Sequence, residues 1–323
     1  MTLFDEVVRD AAAAAARSAV VTVDEERVRH LAKSLHAPGP SPIGQRLPLR
    51  FASADDEMTF MALVSLLSFG ASFRDRYREC LGQDMSPKEV AQRGVIGLFL
   101  AGKLDCDGLQ NLALTDIETA FGLPLSREER LPNLPAYISV DSAVKPLARD
   151  ILSSLHETAR VLRCRDVPSL GAFIHREVLA LARKSSTGTC AAADVVTLLA
   201  STFPGFNDVG FYSNAVGLVA DLFWRFHDDV AEFRFPDIDA AVPRVDYDIV
   251  DVLFDNGVLS VREQPSAEHL RSASMLACLR LREAVAPNWP HPATNLDLDR
   301  ALRDLQRDAR AERPYSVAQS LFY

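Results

Sequence analysis

Residues 55–69 read Asp-Asp-Glu-Met-Thr-Phe-Met-Ala-Leu-Val-Ser-Leu-Leu-Ser-Phe. Three acids fill what would be the first helical turn, where the helix dipole favours negative charge. Beyond them apolar residues fall nearly all round the helix. A helix without a polar face has to be surrounded by other elements. The chain must therefore wrap further helices around this one, and its pattern supplies them. Ser86-Pro-Lys-Glu89 is a capping box with Pro at the first helical position, and it starts a helix through Val95, Leu98 and Phe99. Thr115-Asp-Ile-Glu118 repeats that signal before a short helix that Gly122 stops. Leu147, Ile151, Leu155 and Leu162 form one apolar stripe, and Ala172, Ile174, Val178 and Leu181 form the next. Further helices are expected at 194–199, 215–224, 246–256, 269–285 and 296–309. Strand signals are few. The β-branched runs at 19–23 and 258–261 are short, and Ser126-Arg-Glu-Glu129 reads as a cap for another turn. Residues 124–135, with Pro132 and Pro135 close together, read as a connecting loop.

The expected fold class is mainly α, a single helical domain over 49–323 preceded by an N-terminal helix and variable segment over 1–48. Pro132 marks a candidate seam between two lobes. With 323 residues, 48% of them hydrophobic, the chain can bury one large core or two modest ones. The formal charge of −9 is spread along the chain and argues against a nucleic-acid polymer as partner, since such binding rests on phosphate neutralisation. The five cysteines contain no CxxC and suit reduced thiols. The seven histidines show no metal-ligand spacing, and His227-Asp228-Asp229 reads as a solvated helix end. No metal or organic cofactor is expected. The N-terminus lacks a basic, signal-like region. The longest apolar stretch, residues 58–73, is short for a membrane span. A cytoplasmic monomer that does not engage a membrane is the expectation.

Several carboxylates and aromatic residues stand out. In Arg244-Val-Asp-Tyr-Asp-Ile-Val-Asp-Val-Leu-Phe-Asp-Asn-Gly257, Asp246 sits where a helix begins and Gly257 where it stops. That pattern fits either a capped surface helix or a carboxylate held at a helix start and facing a pocket. Asp221 lies in an apolar helix, and a buried carboxylate needs a partner or a proton. Asp208 follows a Pro-Gly turn and either fixes that turn or faces a ligand. Ser68-Phe-Gly-Ala-Ser-Phe-Arg74 ends the central helix with two aromatic residues and a cation; it suits core packing or the stacking of a flat ligand.

Taken in order, these segments resemble the queuosine salvage proteins, queuosine 5′-phosphate N-glycosylases that release queuine. Leu49-Arg-Phe-Ala-Ser53, Glu57 and Leu66-Leu-Ser-Phe-Gly-Ala-Ser-Phe-Arg74 are similar to the family's "RFAS…E…LLNFxSGYR". Residues 203–208 are similar to its "FPxFxD", and residues 211–221 to its "FYKRAQxLVAD". Asp246, Tyr247, Val252, Leu253, Gly257 and Leu259 follow its "DYxLPxxLxxLGxL". Leu270 to Cys278 resemble "LRAAAxxAC", and Phe322-Tyr323 its aromatic end. The chain departs from the family at Ser213, which stands for a lysine, at Val250 for a proline, at Ser68 for an asparagine and at Leu279 for a glutamate. Arg74 is a candidate replacement for the lost cation.

The resemblance implies a fold similar to helical DNA glycosylases. The implied reaction is hydrolysis of the base–ribose bond of queuosine 5′-monophosphate, with the queuine released then salvaged into tRNA modification. Asp246 is the implied catalytic carboxylate. The implied substrate-binding residues are Phe69, Ser68, Arg74, Asp208, Phe211, Ser213, Asp221, Tyr247 and Arg271. A non-catalytic protein that binds a 7-deazaguanine nucleotide or base is the alternative, with Ser213 and Leu279 in its favour.

Overall fold

In the computed structural model of the chain, residues 2–17, 20–39, 49–82, 85–132, 135–208 and 210–306 are described. The aromatic terminus Phe322-Tyr323, Ala19 and the stretch of the last expected helix beyond residue 306 lie outside them. The protein is mainly helical. Its chain divides into two compact units. One is built from the segment ending at Arg50 and the segment beginning at Val178, the other from Phe51–Glu177. The division therefore falls near residue 50 and inside a helix, not at Pro132. Pro132 instead belongs to a hairpin within the second unit.

The second unit holds α3 (Ala54–Leu66), α4 (Arg74–Leu81), α5 (Pro87–Leu100), α6 (Cys106–Gln110), α7 (Leu114–Phe121), α8 (Lys145–Cys164) and most of α9 (Leu170–Lys184). Helix α3 is the expected central helix. Ser53 caps it, and Met58, Phe60, Ala62, Leu63 and Leu66 are all buried. It ends at Leu66, shorter than its apolar run, because Gly70 turns the chain with φ +86°. The Ser86–Glu89 capping box forms as expected: the Ser86 N–H donates to Glu89 Oε2 at 2.7 Å and the Glu89 N–H to Ser86 Oγ at 3.3 Å. Helix α7 starts one residue before Thr115, because the Asp116 carboxylate accepts the Ala113 N–H at 2.8 Å. Thr115 is inside the helix. Residues 126–129 do not cap a turn. They form β2 (Ser126–Arg130), which pairs antiparallel with β3 (Tyr137–Asp141). Alternation was hidden there because both faces of this hairpin meet solvent, so no apolar period marks it.

The first unit holds α1 (Leu3–Arg17), β1 (Val21–Val23), α2 (Glu25–Ser34), α10 (Ala192–Thr202), α11 (Ser213–Phe226), α12 (Tyr247–Asp255), β4 (Leu259–Val261), α13 (Ala267–Val285) and α14 (Asn295–Gln306). The two β-branched runs find each other: β1 pairs antiparallel with β4, Val21 opposite Val261. Helix α13 is the axis of this unit, packed against α1, α2, α12, α14 and the β1–β4 ribbon. It is buried over most of its length, including the polar Arg271, Ser272 and Ser274. Among the described residues no helix is long and apolar enough to cross a membrane.

Candidate functional site

Helix α12 begins as its sequence predicts. Asp246 is the N-cap, its Oδ1 accepting the Ile249 N–H at 3.2 Å, and Gly257 ends the turn with φ +67°. The cap is only part of what holds this carboxylate. Its Oδ2 accepts from Arg244 Nε at 3.1 Å and from Arg303 Nη2 at 2.6 Å. Arg303, on α14, also donates to Asp299 from Nε and Nη2, both at 2.9 Å, and reaches Asp248 at 3.5 Å. Three carboxylates and two guanidiniums thus tie α14 to the start of α12. Burial alone would raise the Asp246 carboxyl. The charges of Arg303 and Arg244, with the hydrogen bonds from Arg303 and Ile249, outweigh it and hold the group well below the ordinary carboxylate range. About a quarter of its side chain remains exposed, at 24%.

A second constellation lies at the start of α11. Asp208 follows a short turn at Pro204–Phe206 and is 1% exposed. Its Oδ2 accepts the Ser213 N–H at 3.0 Å, so a carboxylate five residues back satisfies the open N-terminus of α11. The same oxygen accepts Arg271 Nη2. Arg271 Nη1 donates to the Asp208 carbonyl at 2.9 Å, and Nη2 to Ser213 Oγ at 2.7 Å. The guanidinium also lies over the Phe211 ring, 4.5 Å from its centroid. Burial pushes the Asp208 carboxyl up, against the pull of the Arg271 charge and the Ser213 N–H. Its other oxygen, Oδ1, is buried with no hydrogen-bond partner among the described residues.

Helix α13 links the two constellations. Arg271 is part of the second. Cys278, two turns further along the same face, lies near the first: burial foremost, then the charges of Asp299 and Asp246, push its thiol up. Seven residues at 1.5 Å each separate the two points by about 10 Å along the helix axis.

The structure thus joins four of the expected residues, Asp208, Phe211, Ser213 and Arg271, in one hydrogen-bonded cluster. Asp246 and Tyr247 are at the start of α12, Tyr247 buried. Asp221 lies in α11 but is only half-buried, so water reaches its carboxylate and the expectation of a buried acid there is corrected. Phe69, Ser68 and Arg74 belong to the second unit. Phe69 is buried, Ser68 Oγ donates to the Val64 carbonyl at 2.7 Å, and Arg74 begins α4 half-buried. The cation that fills the place beside Ser213 is Arg271.

Sequence reasoning missed Arg244, Arg303 and Asp299. The Asp299–Arg303 spacing of four on α14 was a visible signal, but an i,i+4 pair is commonplace on a solvated face. Its link to Asp246, 57 residues away in the chain, is tertiary. His227 caps the end of α11, its ring stacked on Phe223 at 4.7 Å, as a helix-end group. Among the described residues no cluster of three His, Cys, Asp or Glu side chains could hold a metal ion. No protein-family model matches the chain, and no curated protein matches it.

Proposed function

We propose that the chain is an N-glycosidase that hydrolyses queuosine 5′-monophosphate and releases queuine, through its own carboxylates. What supports the reading is the meeting of Asp208, Phe211, Ser213 and Arg271, drawn from three separate motifs, about 10 Å along α13 from the neighbourhood of an ionised Asp246. The departing base leaves an oxocarbenium-like carbon, which an anion stabilises. Asp246 serves as that anion or as a nucleophile. A group held ionised so firmly is not the proton donor. The base carries carbon where a purine has N7, so expulsion by protonation at that atom is closed. Negative charge on the leaving base is instead met by hydrogen bonds at its other edges. The buried Asp208 carboxylate, with Oδ1 still open, is an acceptor for the N–H groups of such an edge.

One observation favours a second reading, binding without turnover. Both oxygens of Asp246 already accept hydrogen bonds, and two guanidiniums offset its charge. Incubation with queuosine 5′-monophosphate and chromatography for free queuine separates the two. Release of base establishes the glycosidase. A raised melting temperature with the nucleotide and no release establishes the binding protein. Neither release nor thermal shift removes both.

A further inference from the structure

The β2–β3 hairpin is out of keeping with the rest of the protein. Every residue of β2 is exposed, and so is all of β3 except the half-buried Val140. Three large apolar side chains are strongly exposed among the described residues, and two of them are neighbours on β3: Tyr137 at 65% and Ile138 at 44%. The sheet has two strands among those residues, so each strand keeps one unpaired edge. A two-stranded ribbon without a covered face is marginal in water.

The ladder fixes which groups line the edge of β3. Leu131 N–H donates to the Ala136 carbonyl, and Ser142 N–H to the Leu125 carbonyl. Hydrogen-bonded pairs alternate in an antiparallel ladder. With the observed register, Ile138 and Val140 therefore turn their backbone groups toward β2, while Tyr137, Ser139 and Asp141 turn theirs outward.

We propose that this outer edge of β3 pairs antiparallel with the same edge of a second copy of this chain, across a two-fold axis at Ser139. The register is self-complementary. Ser139 exchanges both backbone hydrogen bonds with Ser139 of the partner subunit. Tyr137 and Asp141 pair crosswise, so all three outward-facing residues are satisfied within the two strands. A two-fold at Tyr137 would set Ser139 against Pro135 of the other copy, which has no N–H, and one at Asp141 would oppose two carboxylates. On one face of the new sheet each Ile138 meets a Val140, covering apolar surface that the single chain leaves wet. The edge of β2 does not offer this. Its outward residues are Ser126, Glu128 and Arg130, and a two-fold there brings Glu128 against Glu128 of the partner subunit. Charged side chains of this kind are how exposed edges avoid pairing. The edge of β3 is free of charge from Tyr137 to Val140. The assembled sheet has the order β2-β3-β3-β2. This association is independent of the catalytic reading.

Sedimentation equilibrium of the full chain tests it. At about 500 μM the average mass is expected to lie well above the monomer, for a dimer Kd of about 100 μM or tighter. Ser139→Pro removes the N–H at the two-fold axis, which does not serve the β2 ladder, and raises Kd about tenfold or more. Ile138→Lys sets a charge in the new apolar patch and does the same. Glu128→Ala, on the opposite edge, leaves Kd unchanged. All three variants keep the wild-type helical circular dichroism. A wild-type mass that stays monomeric overturns the proposal, and so does a dimer that both Ser139→Pro and Ile138→Lys leave intact.

Discussion

Replacing Arg271 by Met isolates the energetics of the buried cluster. Met keeps most of the aliphatic length and removes the guanidinium. That guanidinium is 2% exposed and makes three hydrogen bonds, to the Asp208 carbonyl, Asp208 Oδ2 and Ser213 Oγ, besides lying over Phe211. Its loss leaves a buried carboxylate without its counter-charge, which typically costs about 3–5 kcal/mol. At 2–4 °C per kcal/mol for a unit of this size, the melting temperature falls by roughly 6–20 °C. The cost has a pH signature. Without Arg271 the Asp208 carboxyl rises further above its unfolded value of about 3.9, so the native state holds a proton that the unfolded chain releases. Stability of the variant is therefore greatest in mild acid and is lost as pH rises through the folded value, so Arg271→Met is more damaging at pH 8 than at pH 5. Asp208→Asn in the Arg271→Met background recovers part of the loss, since the uncompensated charge is gone. Urea denaturation of the four proteins at both pH values measures each quantity. A destabilisation below about 1 kcal/mol, or a double mutant equal to the sum of its parts, refutes the argument that the pair is energetically one unit.

Asp246 behaves in the opposite sense. Its carboxyl is depressed in the folded state, so its contribution is fully present above the unfolded value of about 3.9 and is lost as pH falls below it. Asp246→Asn, which retains the helix cap, should show a smaller drop in urea midpoint between pH 6 and pH 3 than the wild type. Gly257→Ala forces an L side chain into φ +67° and should cost about 1 kcal/mol, read as a lower urea midpoint at unchanged slope. Arg303→Met unties α14 from α12 and, by removing the largest of the charges that depress Asp246, should move the acid limb of stability to higher pH.

What was legible in the sequence followed from local rules. The Ser86–Glu89 box, the Asp246 cap and the Gly257 stop depend on neighbours within four residues, and each formed as read. The all-apolar segment at residues 55–69 demanded burial, and α3 is buried. The β2–β3 hairpin escaped because its charged, two-sided strands carry no apolar period, and residues 126–129 mimic a helix cap. The candidate residues Asp208, Phe211, Ser213 and Arg271 were marked by motif, but their union is a matter of folding: Arg271 is 63 residues from Asp208. The pinning of Asp246 by Arg303 and Arg244 was invisible for the same reason, and it is this pinning that assigns Asp246 an ionic role. Asp221 was misjudged because an apolar helix can still turn one position to water, and α11 does so there.

The central claim concerns an ionised Asp246 acting on an N-glycosidic bond. Its most direct test is the rate of queuine release from queuosine 5′-monophosphate by wild type and Asp246→Asn, followed by chromatography at matched folded concentration. The account predicts release by wild type and a loss of several orders of magnitude in kcat for Asp246→Asn, with the nucleotide still raising the melting temperature of both. Equal rates for the two proteins would contradict it.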